Sequence, residues 1–84
     1  MAYKVLLKKS VEKELDNLPE NIYKRILSRL FSLKENPRPS NTKKLRGDVG
    51  FRIRVGDYRI LYEIEDKRKI VEVYSIAHTR EVYR

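Results

Sequence analysis

Three arginines separated by short intervals, Arg52, Arg54 and Arg59, are the residues of this 84-residue sequence best suited to chemistry. A guanidinium keeps its charge at any physiological pH and presents forked donors that match phosphate oxygens. Lys43, Lys44 and Arg46 stand just before this run and Arg80 just after it. Gathered on one surface, such cations repel one another until an anion joins them, so the pattern points to phosphate and to a nucleic-acid backbone. In RNA the 2'-hydroxyl is able to attack its own phosphorus, and a protein then has mainly to align it and stabilise charge on the phosphorane oxygens. That route needs no metal and no cofactor, and none is expected. Two further groups bear on the proton and the base. His78 carries an imidazole, suited to proton transfer near neutrality, and Tyr83 offers a ring on which an unstacked base can lie. Each feature also has a plain structural reading: a solvated strand face, a basic surface loop, a structural histidine at a strand end, an exposed tyrosine near the terminus.

The elements that must hold these residues follow from hydrophobic period. Tyr3 to Leu7 is a short apolar-rich run that suits a first strand. Ser10 is placed to cap a short helix carrying Val11, Leu15 and Leu18, which Pro19 ends or whose successor it begins. The second helix is marked by Ile22, Ile26, Leu30 and Leu33, widened by Leu27 and Phe31, with Lys24, Arg25, Arg29 and Lys34 on its other side. Asn36 to Thr42 contains two prolines and reads as the connecting loop. Beyond it the period becomes two. Phe51, Ile53 and Val55 alternate with Arg52 and Arg54, and Gly56-Asp57 makes a hairpin turn. Tyr58 to Glu65 and Ile70 to His78 supply two more strands around the polar turn Asp66 to Lys69.

The expected fold is therefore α+β: two N-terminal helices packed on one face of a mostly antiparallel four-stranded sheet, in the order β-α-α-β-β-β. One domain spans residues 1–84. If Phe51, Ile53 and Val55 face the helices, Arg52 and Arg54 point to the uncovered side, and parity puts Arg59 beside them. A bulge would break that parity. Tyr23, Tyr58, Tyr62 and Tyr74 lie inside periodic elements and read as core or rim.

Composition narrows the classes further. The absence of Cys and the single His exclude a zinc cluster and a thiol nucleophile. The net charge of +8, spread over both halves of the chain, favours nucleic acid, an acidic protein or an anionic surface as partner. Charges interrupt every apolar run, so no membrane span is expected. Met1 to Ser10 lacks the pattern of a signal peptide, and a cytoplasmic location is expected.

Three linked segments carry a family likeness: Lys44-Leu45-Arg46-Gly47, then Phe51-Arg52-Ile53-Arg54-Val55-Gly56-Asp57-Tyr58-Arg59-Ile60-Leu61-Tyr62, and finally His78-Thr79-Arg80-Glu81-Val82-Tyr83. In order and spacing they resemble the RelE branch of the RelE/ParE toxin superfamily, and the N-terminal strand and helix pair fit it too. The resemblance covers nearly the whole chain. It implies a RelE-like fold and the toxin of a type II toxin–antitoxin system. The implied activity is a ribosome-dependent endoribonuclease that cuts mRNA in the decoding A site and leaves a 2',3'-cyclic phosphate. On matching positions, Arg52, Arg54 and Arg59 would contact the scissile phosphate. Arg80 would stabilise charge or protonate the leaving oxygen, Tyr83 would stack on or orient a nucleotide, and Glu81 is placed to orient Arg80. Lys43, Lys44, Arg46 and His78 would serve RNA or ribosome binding.

The likeness also implies partners: a RelB-type acidic antitoxin, the ribosome with its mRNA, and operator DNA only through the antitoxin. The antitoxin helix is expected across the toxin helices or sheet, masking Arg59 and Arg80 or displacing residues 80–84. One departure matters. Some RelE toxins carry Lys where this chain has Arg52 and Arg54, and Arg is a poor general base, so cleavage leans on electrostatic stabilisation or on Tyr83 or His78. Two rivals stay open: a ParE-like DNA gyrase inhibitor, and a noncatalytic module whose basic face binds nucleic acid or antitoxin only.

Overall fold

A computed structural model of the chain describes residues 2–40, 42–44 and 50–78. In chain order it contains β1 (Lys4–Leu7), α1 (Lys9–Asp16), α2 (Glu20–Glu35), β2 (Thr42–Lys44), β3 (Phe51–Val55), β4 (Tyr58–Glu65) and β5 (Ile70–His78). The sheet has five strands in the order β1-β5-β4-β3-β2, one more than the sequence suggests. The added strand is β2, three residues long at the sheet edge, with two lysines in place of an apolar alternation. Short basic edge strands of this kind discourage pairing with other chains and leave little periodicity to read. β1 runs parallel to β5, and the other pairs are antiparallel.

The helices form as their apolar spacing dictates. Val11 and Leu15 of α1, and Ile26, Leu30 and Leu33 of α2, are buried against the sheet. Helix α1 begins two residues earlier than a Ser10 cap requires, with Lys8 at the N-cap and no side-chain cap hydrogen bond. Pro19 takes the N-cap of α2, so it opens the second helix. Phe31, read as part of the buried stripe, lies on the margin and is 62% exposed, with the Lys34 ammonium 4.9 Å from its ring centre.

On the sheet side the core is made by Ile53, Val55, Ile60, Tyr62, Val71, Val73 and Ile76. Tyr62 is fully buried, stacked at 5.9 Å on Phe51, and its hydroxyl bonds to the Thr42 hydroxyl and, at 2.9 Å, to the Pro37 carbonyl. A buried phenol thus ties the proline loop and the start of β2 to the centre of the sheet. Burial pushes its pKa up, which keeps it a neutral donor.

A second tie, starting from the next residue of the proline loop, joins distant segments. Arg38 grips Asp66 through both terminal nitrogens, at 2.9 and 3.2 Å, and the Tyr3 hydroxyl donates to the same carboxylate at 2.6 Å. The donors from Arg38 and then Tyr3 hold the Asp66 carboxyl at about 2. The Arg38 guanidinium also lies 5.5 Å from the Phe51 ring centre, so this clip touches the strand that carries Arg52 and Arg54.

Candidate nucleic-acid interface

The arginine face is set by two antiparallel registers. Between β3 and β4, Ile53 lies opposite Ile60 and Val55 opposite Tyr58, which fixes the inward rows. The intervening rows pair Arg52 with Leu61 and Arg54 with Arg59. Between β2 and β3, Lys43 lies opposite Arg52. Lys43, Arg52, Arg54 and Arg59 therefore occupy one face of the sheet, the face turned away from the helices. Directly opposed side chains stand about 5 Å apart at Cβ, so Arg54 with Arg59 and Lys43 with Arg52 are like-charged neighbours. The register places the Arg52 stem beside Leu61 and the Arg59 stem beside Ala77. Both arginines are half-buried, whereas Arg54 and Lys43 are exposed. Among the described residues, the ion pairs are Lys24–Glu20, Arg38–Asp66 and Arg68–Glu65, and Lys43, Arg52 and Arg54 belong to none of them.

The hairpin turn fixes the end of this cluster. Gly56 has φ of +59°, a conformation that glycine adopts without a side-chain clash, and its carbonyl accepts from Arg54 Nε at 2.9 Å. This bond holds the Arg54 head back over the turn and next to the Arg59 row. The same face changes sign along β4. Glu63 lies opposite Glu72, and beyond it Leu6 of β1 continues the row. The face is therefore polarised, with cations towards the Gly56 turn and carboxylates towards the Asp66 turn, and an anionic strand is drawn to the first end.

Two of the expected binding residues sit elsewhere. Lys44 lies opposite Phe51, so it shares the helix-side row at the sheet edge and not the arginine face. His78 lies opposite Tyr58, with the rings 5.0 Å apart and nearly perpendicular. The cause is a bulge in β5. Leu61 pairs with Ser75 but Tyr62 with Val73, which leaves Tyr74 as the extra residue. After that residue the alternation inverts, and Ile76 and His78 turn to the helix side, where His78 lines a cavity of about 260 Å³ with Glu14, Asn17 and Leu18. The bulge lies in β5 and leaves the β3–β4 pairing, and with it the arginine row, in register. Arg46, Arg80 and Tyr83 fall outside the described residues.

A basic group that the sequence reading placed only on the solvent side of α2 also takes shape. Lys24, Arg25, Ser28, Arg29 and Ser32 line a cavity of about 410 Å³ with Val55. The signal was present in the spacing, since positions three and four apart share one helix face. What the sequence lacked was the approach of Val55, at the end of β3, that closes the cavity.

Chemically, the arginine face can hold a phosphodiester by forked hydrogen bonds and stabilise extra charge on its oxygens. The side chains beside the arginines on this face are Leu61, Ser75 and Ala77. The imidazole stands behind the sheet.

Comparison with known proteins adds a lineage to this geometry. The family model described as the ParE toxin of a type II toxin–antitoxin system matches residues 5–83. A curated relative from Methanocaldococcus jannaschii, bearing the toxin name RelE1, is 30% identical over the whole of this chain and 98% of its own length. Among solved structures, the archaeal RelE-RelB complex from Pyrococcus horikoshii contains a chain that superposes with a TM-score of 0.86 at 32% identity, covering 94% of this chain and 97% of that one. The RelBE2 toxin–antitoxin complex of Mycobacterium tuberculosis gives 0.82 at 28% identity, with 93% and 99% covered. With the helix pair, the five-stranded sheet and nearly the full length shared, the chain belongs to the RelE/ParE superfamily of type II toxin–antitoxin toxins.

Proposed function

We propose that this protein is a ribosome-dependent endoribonuclease that cuts mRNA in the A site, and that a RelB-type acidic antitoxin holds it in check. The observation that carries the reading is the opposition of Arg54 and Arg59 on the face that Arg52 and Lys43 share. A scissile phosphate bound there receives donors from two strands at once. In the reaction the 2'-oxygen forms a bond to phosphorus, the bond from phosphorus to the 5'-oxygen breaks, and a 2',3'-cyclic phosphate remains. The 2'-proton must leave, and the departing 5'-oxygen must gain one. Arg52, Arg54 and Arg59 stay charged throughout, so their part is to bind and to stabilise the phosphorane. The resemblance assigns the nucleotide to Tyr83 and charge stabilisation or protonation of the leaving oxygen to Arg80; with His78 on the helix side, Tyr83 is also the group we assign to proton transfer.

The antitoxin reading rests on charge and on the solved relatives, which were captured as toxin–antitoxin complexes. A chain of net charge +8 pairs naturally with an acidic segment that orders as it binds. A second reading is favoured by the family model, which is named for ParE toxins: inhibition of DNA gyrase with no RNA cut. One experiment separates the two. The protein is induced in cells, and messenger ends are mapped on translating ribosomes beside Arg59→Ala and Arg80→Ala. Cuts at the A site that vanish in both variants are the expected result. Stalled replication with intact messages would establish the gyrase reading instead.

A further inference from the structure

Gly56 is approached both by Arg54 of the arginine face and by Arg25 of the basic cavity on α2. Arg54 Nε donates to the Gly56 carbonyl from one side. From the other side Arg25 packs so closely that a Cβ at Gly56 would stand 3.2 Å from its Nη1. Beyond Arg25 the cavity of about 410 Å³ opens between α2 and Val55, with Lys24 and Arg29 at its walls and the Ser28 and Ser32 side chains between them. Lys24 keeps a loose 3.5 Å contact with Glu20, both well exposed, and Asp57 is the carboxylate of the turn itself. Among the described residues, no carboxylate lies within ion-pair distance of Arg25 or Arg29. Three cations and the Ser28 hydroxyl around an open cavity, with little carboxylate to neutralise them and with the Ser32 hydroxyl already donating to the Ser28 carbonyl at 3.1 Å, form an anion site on the helix side of the Gly56 turn.

We propose that this cavity binds backbone phosphates of RNA, continuing the track that begins on the arginine face and crosses the Gly56 turn. The inference rests on the nucleic-acid reading above but concerns affinity, not bond cleavage. The phosphates belong either to the message leaving the arginine face or to ribosomal RNA beside it, and the chemistry of recognition is the same.

The test uses Lys24→Ala with Arg29→Ala in the full chain and leaves Arg25, which packs on the turn, in place. Two probes are titrated across salt: a short 2'-O-methyl RNA that cannot be cut, and empty ribosomes. Losing two phosphate contacts should lower affinity roughly tenfold at low salt and flatten the single-strand salt dependence by about 1.4 in log–log slope. Loss on the RNA places the message in the cavity, and loss on ribosomes alone places ribosomal RNA there. Unchanged affinity and slope on both probes, in a variant whose thermal unfolding matches the parent, would overturn the proposal. So would weakening confined to an acidic antitoxin peptide. Cleavage that survives Arg54→Ala with Arg59→Ala would remove the nuclease site and leave this result standing, so the two failures are distinguishable.

Discussion

Arg54 opposite Arg59 is an arrangement that a strand pair disfavours and that a bound phosphate would relieve. Truncating Arg59 to Ala should therefore slow messenger cleavage by roughly 10²-fold or more while leaving the fold intact, as loss of a donor to a developing oxyanion does elsewhere. Arg59→Lys should recover only part of the rate, because an ammonium supplies the charge without the fork. Single-turnover cleavage on programmed ribosomes measures both. Tyr62 makes the complementary prediction for stability. Tyr62→Phe leaves the Pro37 carbonyl and the Thr42 hydroxyl without their buried partner and should destabilise the protein by about 1–3 kcal/mol in urea unfolding. At this scale the sequence was informative about chemistry and silent about pairing. The arginines stood out by type, whereas the bonds of Tyr62 to residues 20 and 25 positions away have no local signature.

The β3–β4 hairpin keeps the arginines in line, and Gly56 is where it can be broken. At φ of +59° an alanine carries left-handed strain of about 1–2 kcal/mol, and its methyl presses on Arg25, so Gly56→Ala should lower the thermal midpoint and disturb both basic surfaces together. The clip of Tyr3, Arg38 and Asp66 gives the pH dependence. Asp66 has its carboxyl lowered to about 2, from an ordinary value of 3.8, by the Arg38 and Tyr3 donors. Its stabilisation is fully present above the ordinary value and is lost as pH falls from there towards 2. Acid unfolding followed by circular dichroism should show a shallower slope in that window for Asp66→Asn. Legibility divided along the same lines. The alternation around Arg52 to Arg59 and the turn at Gly56-Asp57 were readable because period and turn residues are local. The strand β2 was not, since Thr42-Lys43-Lys44 has no apolar alternation. The bulge at Tyr74 was not, since an inserted residue preserves strand-like composition while inverting every side chain after it, which is how His78 comes to lie on the helix side.

Among the described residues, the helices cover one face of the sheet and leave the other to a polarised surface, basic near Gly56 and acidic near Glu63 and Glu72. A protein of net charge +8 built this way should bind RNA with steep salt dependence, and added salt should weaken capture of ribosomes before it slows the chemical step. A chain of 84 residues buries limited surface alone, and the acidic antitoxin proposed above would add surface while neutralising the cations. The most direct test combines purified translating ribosomes, a message of defined sequence, the parent protein and an Arg54→Ala, Arg59→Ala variant of matched thermal stability. The parent should release fragments cut in the A-site codon and ending in 2',3'-cyclic phosphate, and the variant should release almost none. Equal yields of such fragments from both proteins, or an intact message with both, would contradict an arginine face that grips and cuts RNA.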